Sequence, residues 1–393
     1  MVQNYLWLKL TAIALTIPSI QTIAVVRASA NPISIVQVTS RDRQIAPSVQ
    51  TNSLKAEEYY RSAEQKYKKQ DYRGALADIN RALQVKPDFA DAHRRRGVLK
   101  AERFQDIPGG LADINRAIQL DPKNAKACFN RGVIRAMQKD YRSALVDFDR
   151  AIQLKPNLAD AYDNRGVVKA IQQDYRSALA DFNRAIQIQP DFSRPYYNRG
   201  FLKQNNLQDP KGAVTDYDRA IQFDPNFVDA YVKRGTVKAE NLQDFKGALA
   251  DFNRSIQLNP NYPLAYTNRG FLKQIGIQDP KGAMADYNRA IQLAPKDAIT
   301  YRNRGALKVS KFQDVPGGMA DFNRAIQFDP NEALSYKNRA FVKYEILNDR
   351  SGGIADMEKA AKLLQQQGNR QGAGELKSVL KKWQKAKNTS PII

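Results

Sequence analysis

The chain of 393 residues is 42% hydrophobic and 26% charged, proportions that are ordinary for a soluble folded protein. Its 62 lysine and arginine residues outnumber its 40 aspartate and glutamate residues, and the net charge of +22 suggests an anionic partner such as nucleic acid, a membrane or an acidic protein. The chain has a single cysteine, Cys128, which excludes an internal disulfide. It also has a single histidine, His93, and one residue of each type is too few for a zinc site or for the usual nucleophilic chemistry. We therefore expect no enzyme activity, no metal and no cofactor.

The first thirty residues have the pattern of an export signal. Lys9 supplies the positive charge, Leu10–Val26 is mostly apolar, and Ala28-Ser29-Ala30 places small residues where a signal peptidase cuts. We predict a signal peptide over residues 1–30, removed after Ala30. The alternative is an uncleaved membrane anchor, for which the apolar stretch is marginal in length.

The next segment is rich in proline, serine and threonine and has no helical periodicity, which predicts a flexible linker over residues 31–53.

A repeat follows the linker. An Arg-Gly pair recurs every 34 or 35 residues, at Arg96, Arg131, Arg165, Arg199, Arg234, Arg269 and Arg304. A proline keeps the same interval, at Pro87, Pro122, Pro156, Pro190, Pro225, Pro260, Pro295 and Pro330. Self-similarity at this period indicates a solenoid, in which each unit packs only on its neighbours.

Each unit contains two predicted helices, for which Ala125–Pro156 serves as the reference. Apolar and small residues in Ala125–Lys139 and Tyr141–Leu154 follow the spacing of a helix face. Gly132 lies inside the first helix, where glycine is unfavourable, so a neighbouring helix must approach closely there. Pro156 ends the second helix, because proline cannot continue its hydrogen bonds.

The small residues Gly132, Ala144 and Ala151, with Phe148 and Pro156, resemble the tetratricopeptide repeat. The resemblance runs from Leu54 to Leu364. It implies an all-α, right-handed superhelical solenoid of antiparallel helix pairs, about nine units, over residues 54–368. A C-terminal helix over residues 369–387, apolar on one side and lysine-rich on the other, is expected to cap the solenoid, and residues 388–393 form a tail. The alternative for this helix is a basic helix that lies on a membrane surface.

The repeats depart from the family pattern in their charges. A typical unit carries an arginine before the glycine (Arg131), a basic residue four positions later (Arg135) and an arginine in the second helix (Arg150). One acidic position, Asp147 in the reference unit, is acidic in every repeat. We expect it to form a salt bridge with either basic column. The cations are spread along the chain without a block of like charge, which disfavours nucleic acid.

The candidate site is a column of asparagines two residues before the small position of the first helix. The column, called here the asparagine column, consists of Asn130, Asn164, Asn198, Asn268, Asn303 and Asn338. In the family that the chain resembles, this position faces the concave groove. A similar ladder lines the superhelix of O-linked N-acetylglucosamine transferases, where it holds the backbone of an extended peptide. A primary amide both donates and accepts hydrogen bonds, so it can bridge the N–H and C=O groups of a peptide backbone. The other interpretation is that the asparagines only solvate an open groove.

The residues beside the column vary, and they could read the side chains of a peptide. They include Phe129, Tyr197, Arg302 and Lys337 on one side, and Phe201, Phe271 and Phe341 on the other. Arg95 and Lys233 interrupt the column, so we expect a ligand to meet positive charge there.

We predict a non-catalytic scaffold that binds other proteins or extended peptides, acidic ones included. We place it in an exported setting, in the periplasm, the cell envelope or outside the cell. The alternative is an envelope or surface component that binds an anionic polymer or a membrane through its basic columns.

Overall fold

A computed structural model describes residues 47–389, with side chains over residues 52–385. These residues form nineteen α-helices and no β-strand, as the repeat pattern predicts. The predicted signal peptide, residues 1–30, lies outside the described residues, and so do residues 31–46 of the predicted linker. The rest of that linker, residues 47–53, is helical and not irregular. The reason is that Pro47 is compatible with the first position of a helix and no helix breaker follows it.

The helices form nine pairs, or repeats, and one terminal helix. The first helices of the pairs are α1 (Pro47–Lys68), α3 (Ala90–Arg103), α5 (Ala125–Met137), α7 (Ala159–Ile171), α9 (Ser193–Asn205), α11 (Val228–Glu240), α13 (Pro263–Leu272), α15 (Ala298–Phe312) and α17 (Ala333–Phe341). The second helices are α2 (Tyr72–Val85), α4 (Ile107–Leu120), α6 (Tyr141–Leu154), α8 (Tyr175–Ile188), α10 (Pro210–Phe223), α12 (Phe245–Leu258), α14 (Pro280–Leu293), α16 (Val315–Phe328) and α18 (Arg350–Gln366). The terminal helix is α19 (Arg370–Thr389).

The described chain divides into two compact units, residues 47–202 and residues 203–389. In both units the helices of one repeat pack against each other, and the second helix of a repeat packs on the first helix of the next. Each repeat therefore buries its apolar face only against its neighbours, as expected of a solenoid. None of the described helices combines the length and the apolarity that crossing a membrane requires.

An aspartate cap starts the second helix of every repeat. In the reference repeat, the side chain of Asp140 accepts a hydrogen bond from the backbone N–H of Ser143 (3.2 Å), which satisfies a donor that the helix leaves unpaired. The backbone N–H of Asp140 donates to the carbonyl of Arg135, five residues earlier. In repeats with one more turn residue, the corresponding bond spans six residues, from Asp209 to the carbonyl of Lys203. Repeats seven and nine reach the turn through π-helical segments, Lys273–Ile277 and Val342–Ile346.

The predicted close approach at the helix glycines is confirmed. A Cβ atom on Gly132 would lie 2.7 Å from the ring of Phe148, far inside van der Waals contact. The ninth repeat has Ala340 in place of the glycine, and there the facing aromatic ring is replaced by Met357 in the same buried cluster. Alanine is larger than glycine, and the flexible side chain of Met357 can leave room for it where a rigid ring could not.

The arginine before the glycine joins two repeats. Arg131 donates from Nε and Nη2 to the carboxylate of Asp147 on the second helix of its own repeat (2.7 Å for the shortest bond). Its Nη1 donates to Asn115 on the second helix of the preceding repeat (2.9 Å). The same two-sided contact recurs at Arg96, Arg165, Arg234, Arg269, Arg304 and Arg339. The predicted salt bridge within the repeat is thus confirmed.

The second basic column bonds the same carboxylate. Arg135 Nη1 lies 2.7 Å from Asp147 Oδ2, and Asp147 is only 1% exposed. Lysines at the same position make this contact in the other repeats, among them Lys66, Lys100, Lys169, Lys238, Lys273, Lys308 and Lys343. The sequence left open which basic column pairs with the acid, and both do. One buried carboxylate thus holds two cations in each repeat.

The terminal helix α19 covers the end of the ninth repeat. Trp383 stacks on Tyr344 at 3.9 Å between ring centroids and meets Phe341 edge-on at 5.3 Å. Leu376 and Leu380 are buried in the same cluster. The apolar side of α19 therefore packs on the ninth repeat.

A double-mutant cycle tests the pairing of Arg131 with Asp147. We expect Asp147→Ala to lower the free energy of unfolding by about 3 kcal/mol or more, because two partly buried cations lose their counter-charge. The coupling energy between Arg131→Ala and Asp147→Ala should lie between about 1 and 3 kcal/mol. Chemical denaturation of the four proteins measures both quantities. Arg142 is exposed on the same repeat, so the matched cycle of Arg142→Ala with Asp147→Ala should give a coupling near zero. Equal coupling in both cycles would contradict a specific bond.

Candidate peptide-binding surface

The asparagine column lies on the first helices of six repeats, three members in each unit. Asn164, Asn198, Asn303 and Asn338 are nine-tenths buried or more, and Asn130 and Asn268 are half-buried. The sequence treated these residues as equivalent and groove-facing. Their hydrogen bonds differ from one repeat to the next, so the column is not a uniform ladder of open amides.

Asn198 belongs to a buried polar cluster between two first helices. Its Nδ2 donates to Oδ1 of Asp163 on the preceding repeat (2.8 Å), and Arg194 Nε donates to Oδ2 of the same carboxylate (2.6 Å). Asp163 is only 1% exposed. A buried carboxylate needs such partners, because an uncompensated charge in the interior is strongly unfavourable. The amide of Asn198 therefore stabilises the fold between repeats four and five.

Sequence reasoning missed Asp163 and Arg194. A signal was present, because both residues differ from those at the same position in other repeats. The position of Asp163 is aromatic in repeats three and five (Phe129 and Tyr197). The position of Arg194 is aspartate in repeats four and six (Asp160 and Asp229). The two departures face each other across adjacent repeats. A comparison of neighbouring repeats, position by position, could have found them.

Two other members have their amide nitrogens engaged. Asn164 Nδ2 donates to the backbone carbonyl of Asp160 in its own helix (2.9 Å), and Asn268 Nδ2 donates to the hydroxyl of Thr236 on the preceding repeat (3.3 Å). Neither carbonyl oxygen makes a hydrogen bond to another described residue. Asn303 has the opposite arrangement, because its Oδ1 accepts from Nε and Nη2 of Arg302 (3.1 and 3.0 Å). The column thus offers acceptors at some repeats and a donor at another.

The ninth repeat holds the most unusual member. Oδ1 of Asn338 is buried and has no hydrogen-bond partner among the described residues. Such an atom is rare in native proteins and calls for an explanation, because losing water without gaining a donor is unfavourable by about 1–3 kcal/mol. The neighbouring Lys337 is only 1% exposed, and its ammonium group makes no hydrogen bond or salt bridge to another described residue.

Burial and the nearby charge of Arg302 lower the pKa of Lys337 to about 8, against the opposing charges of Glu332 and Glu375. Glu332 is itself held by Arg302 Nη1 at 2.6 Å and by the backbone N–H of Ser335. Its charge is therefore shared among several donors. Around Lys337 and Asn338 the protein presents a cation and a carbonyl oxygen that could both gain a partner.

The two interruptions of the column are less cationic than the sequence suggested. The guanidinium of Arg95 is paired with the carboxylate of Glu64 and lies 4.5 Å from the ring centroid of Tyr67. Burial lowers the pKa of Lys233, against the opposing charges of Asp229 and Glu240. Both positive charges thus have acidic groups of the protein nearby.

The variable residues beside the column divide into two groups. Phe129, Tyr197 and Phe341 are at most 6% exposed and belong to the core, whereas Phe201 and Phe271 are half-buried. The rings of the second group are thus partly exposed to solvent. Cys128 and His93 occupy the position that tyrosines fill in later repeats. His93 Nε2 lies 2.9 Å from the carbonyl of Pro87, the contact that Tyr196 makes with Pro190 (3.0 Å), and Cys128 is buried.

Comparison with known proteins agrees with this architecture. The family model for the tetratricopeptide repeat matches residues 125–158, and a second model for that repeat matches residues 159–192. A search of curated proteins gives no match.

Solved structures with a similar fold include a tetratricopeptide repeat protein from Parabacteroides merdae (19% identity, TM-score 0.50, covering 64% of this chain and 98% of that one). Yeast Tom70 has 14% identity and a TM-score of 0.48, and the match covers 86% of this chain and 92% of that one. YrrB, "a TPR protein with an unusual peptide-binding site", has 23% identity and a TM-score of 0.38, and the match covers 48% of this chain and 95% of that one. At these identities the likeness concerns the fold alone.

Nine described helix pairs with glycine or alanine at the crossing points, a repeated aspartate cap and a terminal helix define a solenoid of the kind that serves as a protein–protein interaction scaffold. Residues 125–192 match family models of the tetratricopeptide repeat, and the described helix pairs have the fold of that repeat. Members of this family are generally non-catalytic.

The hydrogen bonds separate structural from available asparagines, which stability measurements can test. We expect Asn198→Ala to lower the free energy of unfolding by about 1–3 kcal/mol, because Asp163 loses a donor in a buried site. Asn130 is half-buried, and Asn130→Ala should change stability by less than about 0.5 kcal/mol. Chemical denaturation of the two variants provides the comparison. Equal effects would contradict the distinction.

Proposed function

We propose that the asparagine column binds an extended polypeptide and that the ninth repeat provides its strongest contact. The observation that carries this proposal is the buried, unpartnered Oδ1 of Asn338. A backbone N–H of a bound peptide is the simplest donor that would satisfy it. The neighbouring ammonium group of Lys337 would then interact with a carbonyl or a carboxylate of the same peptide.

The remaining hydrogen-bonding capacity favours a particular mode of binding. Because Asn164 and Asn268 use their amide nitrogens within the protein, they offer mainly carbonyl oxygens to a ligand. Acceptors of this kind pair with backbone N–H groups whatever the peptide sequence. The cation at Lys337, which pairs with no described carboxylate, favours an acidic side chain, and the half-buried ring of Phe271 favours an apolar one. The proposed partner is therefore an extended, acidic segment, bound without catalysis.

The alternative function, binding of an anionic polymer or membrane through all the basic columns, has less support. Two of the three columns, represented by Arg131 and Arg135, pair with the buried Asp147. Their charge is largely taken up inside the fold. We therefore retain the peptide scaffold as the primary proposal.

We also propose that the protein is exported and acts in the periplasm, the cell envelope or outside the cell. The support is the sequence pattern of Lys9, Leu10–Val26 and Ala28-Ser29-Ala30. The mature protein is expected to begin at Asn31, after cleavage removes the apolar segment. N-terminal sequencing of the protein purified from the producing cell, together with cell fractionation, tests this. An intact Met1 on protein recovered from the cytoplasm would refute it.

The binding proposal predicts that a triple variant loses affinity. Peptides selected on the full-length protein from a displayed random library provide the ligand, and calorimetric titration measures its affinity. We expect Asn268→Ala, Asn303→Ala and Asn338→Ala together to weaken binding roughly 10-fold to 1,000-fold, because each contact contributes about 0.5–1.5 kcal/mol. Asn338→Ala alone should have the largest single effect.

The matched control removes three primary amides from the second helices of neighbouring repeats, through Gln257→Ala, Gln292→Ala and Gln327→Ala. These exposed glutamines lie on a different helix face, so peptide affinity should stay within about twofold of the wild-type value. Thermal unfolding of both triple variants establishes that they are folded. Unchanged affinity in the folded asparagine variant would leave the column with a solvating role only and would refute the proposal.

A further inference from the structure

In the unit of residues 203–389, the arginines of the third basic column form no salt bridge with a described residue, and this distinguishes them from the other two columns and from Arg81 of the first repeat, which pairs with Asp78. The column lies on the second helices. In the unit of residues 203–389 it consists of Arg219, Arg254, Arg289 and Arg324, called here the helix-B arginine row. All four side chains are exposed. No carboxylate among the described residues lies within 4.0 Å of any of the four guanidinium groups, since none of them takes part in a salt bridge.

The contacts of the row are with neutral groups. Arg219 Nη1 donates to Oε1 of Gln222 (2.8 Å), and Arg254 and Arg289 make longer contacts of the same kind, at 3.5 and 3.4 Å. The guanidinium of Arg324 lies 5.8 Å from the ring centroid of Tyr301. These contacts orient the arginines while leaving their charge uncompensated and most of their N–H groups available.

The surroundings of the row add positive charge and little negative charge. Lys211, Lys246 and Lys281 are exposed on the same helices, eight residues before the arginines. Asp218, the acidic neighbour of Arg219 in sequence, instead pairs with Arg234 of the next repeat at 2.6 Å. Protein surfaces usually mix charges of both signs. The aspartates closest in sequence to the lysines, Asp209, Asp244 and Asp279, each accept a backbone hydrogen bond as helix caps, and no described carboxylate pairs with the row.

We propose that the helix-B arginine row binds a linear polyanion, a polymer that carries phosphate or carboxylate groups at intervals along an extended chain. In a solenoid, equivalent positions of successive repeats follow one another along the stack, so the row presents one guanidinium per repeat in a line. A planar fork of N–H donors suits phosphate and carboxylate oxygens, and release of counterions from the polymer provides a sequence-independent driving force. This site is separate from the asparagine column, which lies on the first helices.

The test uses the full-length protein and two probes, long-chain inorganic polyphosphate for phosphate groups and alginate for carboxylate groups. Fluorescence titration at several salt concentrations gives the affinity and its salt dependence. The variant replaces all four row arginines, with Arg219→Gln, Arg254→Gln, Arg289→Gln and Arg324→Gln. Four lost contacts should reduce the slope of log affinity against log salt by about 3, and should weaken binding roughly 100-fold to 1,000-fold near 0.1 M salt.

The matched control removes four exposed lysines elsewhere, with Lys362→Gln, Lys377→Gln, Lys381→Gln and Lys382→Gln, so that the net charge falls by the same amount. We expect this control to bind both polymers within about threefold of the wild-type affinity, because it leaves the row intact. The stronger-bound probe identifies the preferred anionic group.

Three results would overturn the proposal. They are equal losses in the row variant and the lysine control, unchanged affinity in the row variant, and binding of the wild-type protein to vesicles of phosphatidylglycerol but to neither polymer. The row variant should also bind the selected peptides with wild-type affinity. A failure of the row would therefore be distinguishable from a failure of the peptide site.

Discussion

The arginine before the helix glycine is the contact on which the rest of the solenoid depends. In repeat three, Arg131 reaches the aspartate of its own second helix with two nitrogens and the preceding repeat with the third. In the later repeats the guanidinium also lies over the tyrosine three residues earlier, as Arg234 does over Tyr231 at 5.5 Å. A planar group with five N–H donors can serve all these partners at once, which a lysine cannot. The same side chain thus fixes both the helix pair and the junction between repeats.

This arrangement also explains much of the unusual charge of the protein. Each buried aspartate holds two cations, as Asp147 holds Arg131 and Arg135, so every repeat carries a positive surplus within its own framework. A high net charge is therefore no direct measure of affinity for anions. What remains for an external partner is the charge that no carboxylate of the protein approaches. Among the described residues, that charge includes the helix-B arginine row on the second helices.

The candidate peptide site depends on departures from the repeat. Positions that follow the pattern, such as Arg131 and Asp147, are satisfied within the protein. Asp163 and Arg194 depart from it and compensate each other, whereas Oδ1 of Asn338 and the ammonium group of Lys337 have no hydrogen-bond partner among the described residues. The positions of the asparagines could be predicted from the sequence. Their hydrogen bonds could not, because the partner of each amide differs from repeat to repeat: it lies in the same helix for Asn164 and on the preceding repeat, 35 residues away, for Asn198.

The sequence by itself determined the helix pairs, their number, the close approach at Gly132 and the pairing of Asp147 with a basic column. All of these are local or recur at the repeat period, so nine copies reinforce one pattern. Only the tertiary structure decided that both basic columns use the same carboxylate, that Asn198 is structural while Asn338 has an unsatisfied carbonyl, and that the first helix begins at Pro47. The physical reason is that burial and hydrogen bonding depend on which side chains of neighbouring repeats meet, and a periodic pattern specifies where residues lie but not how each contact is satisfied.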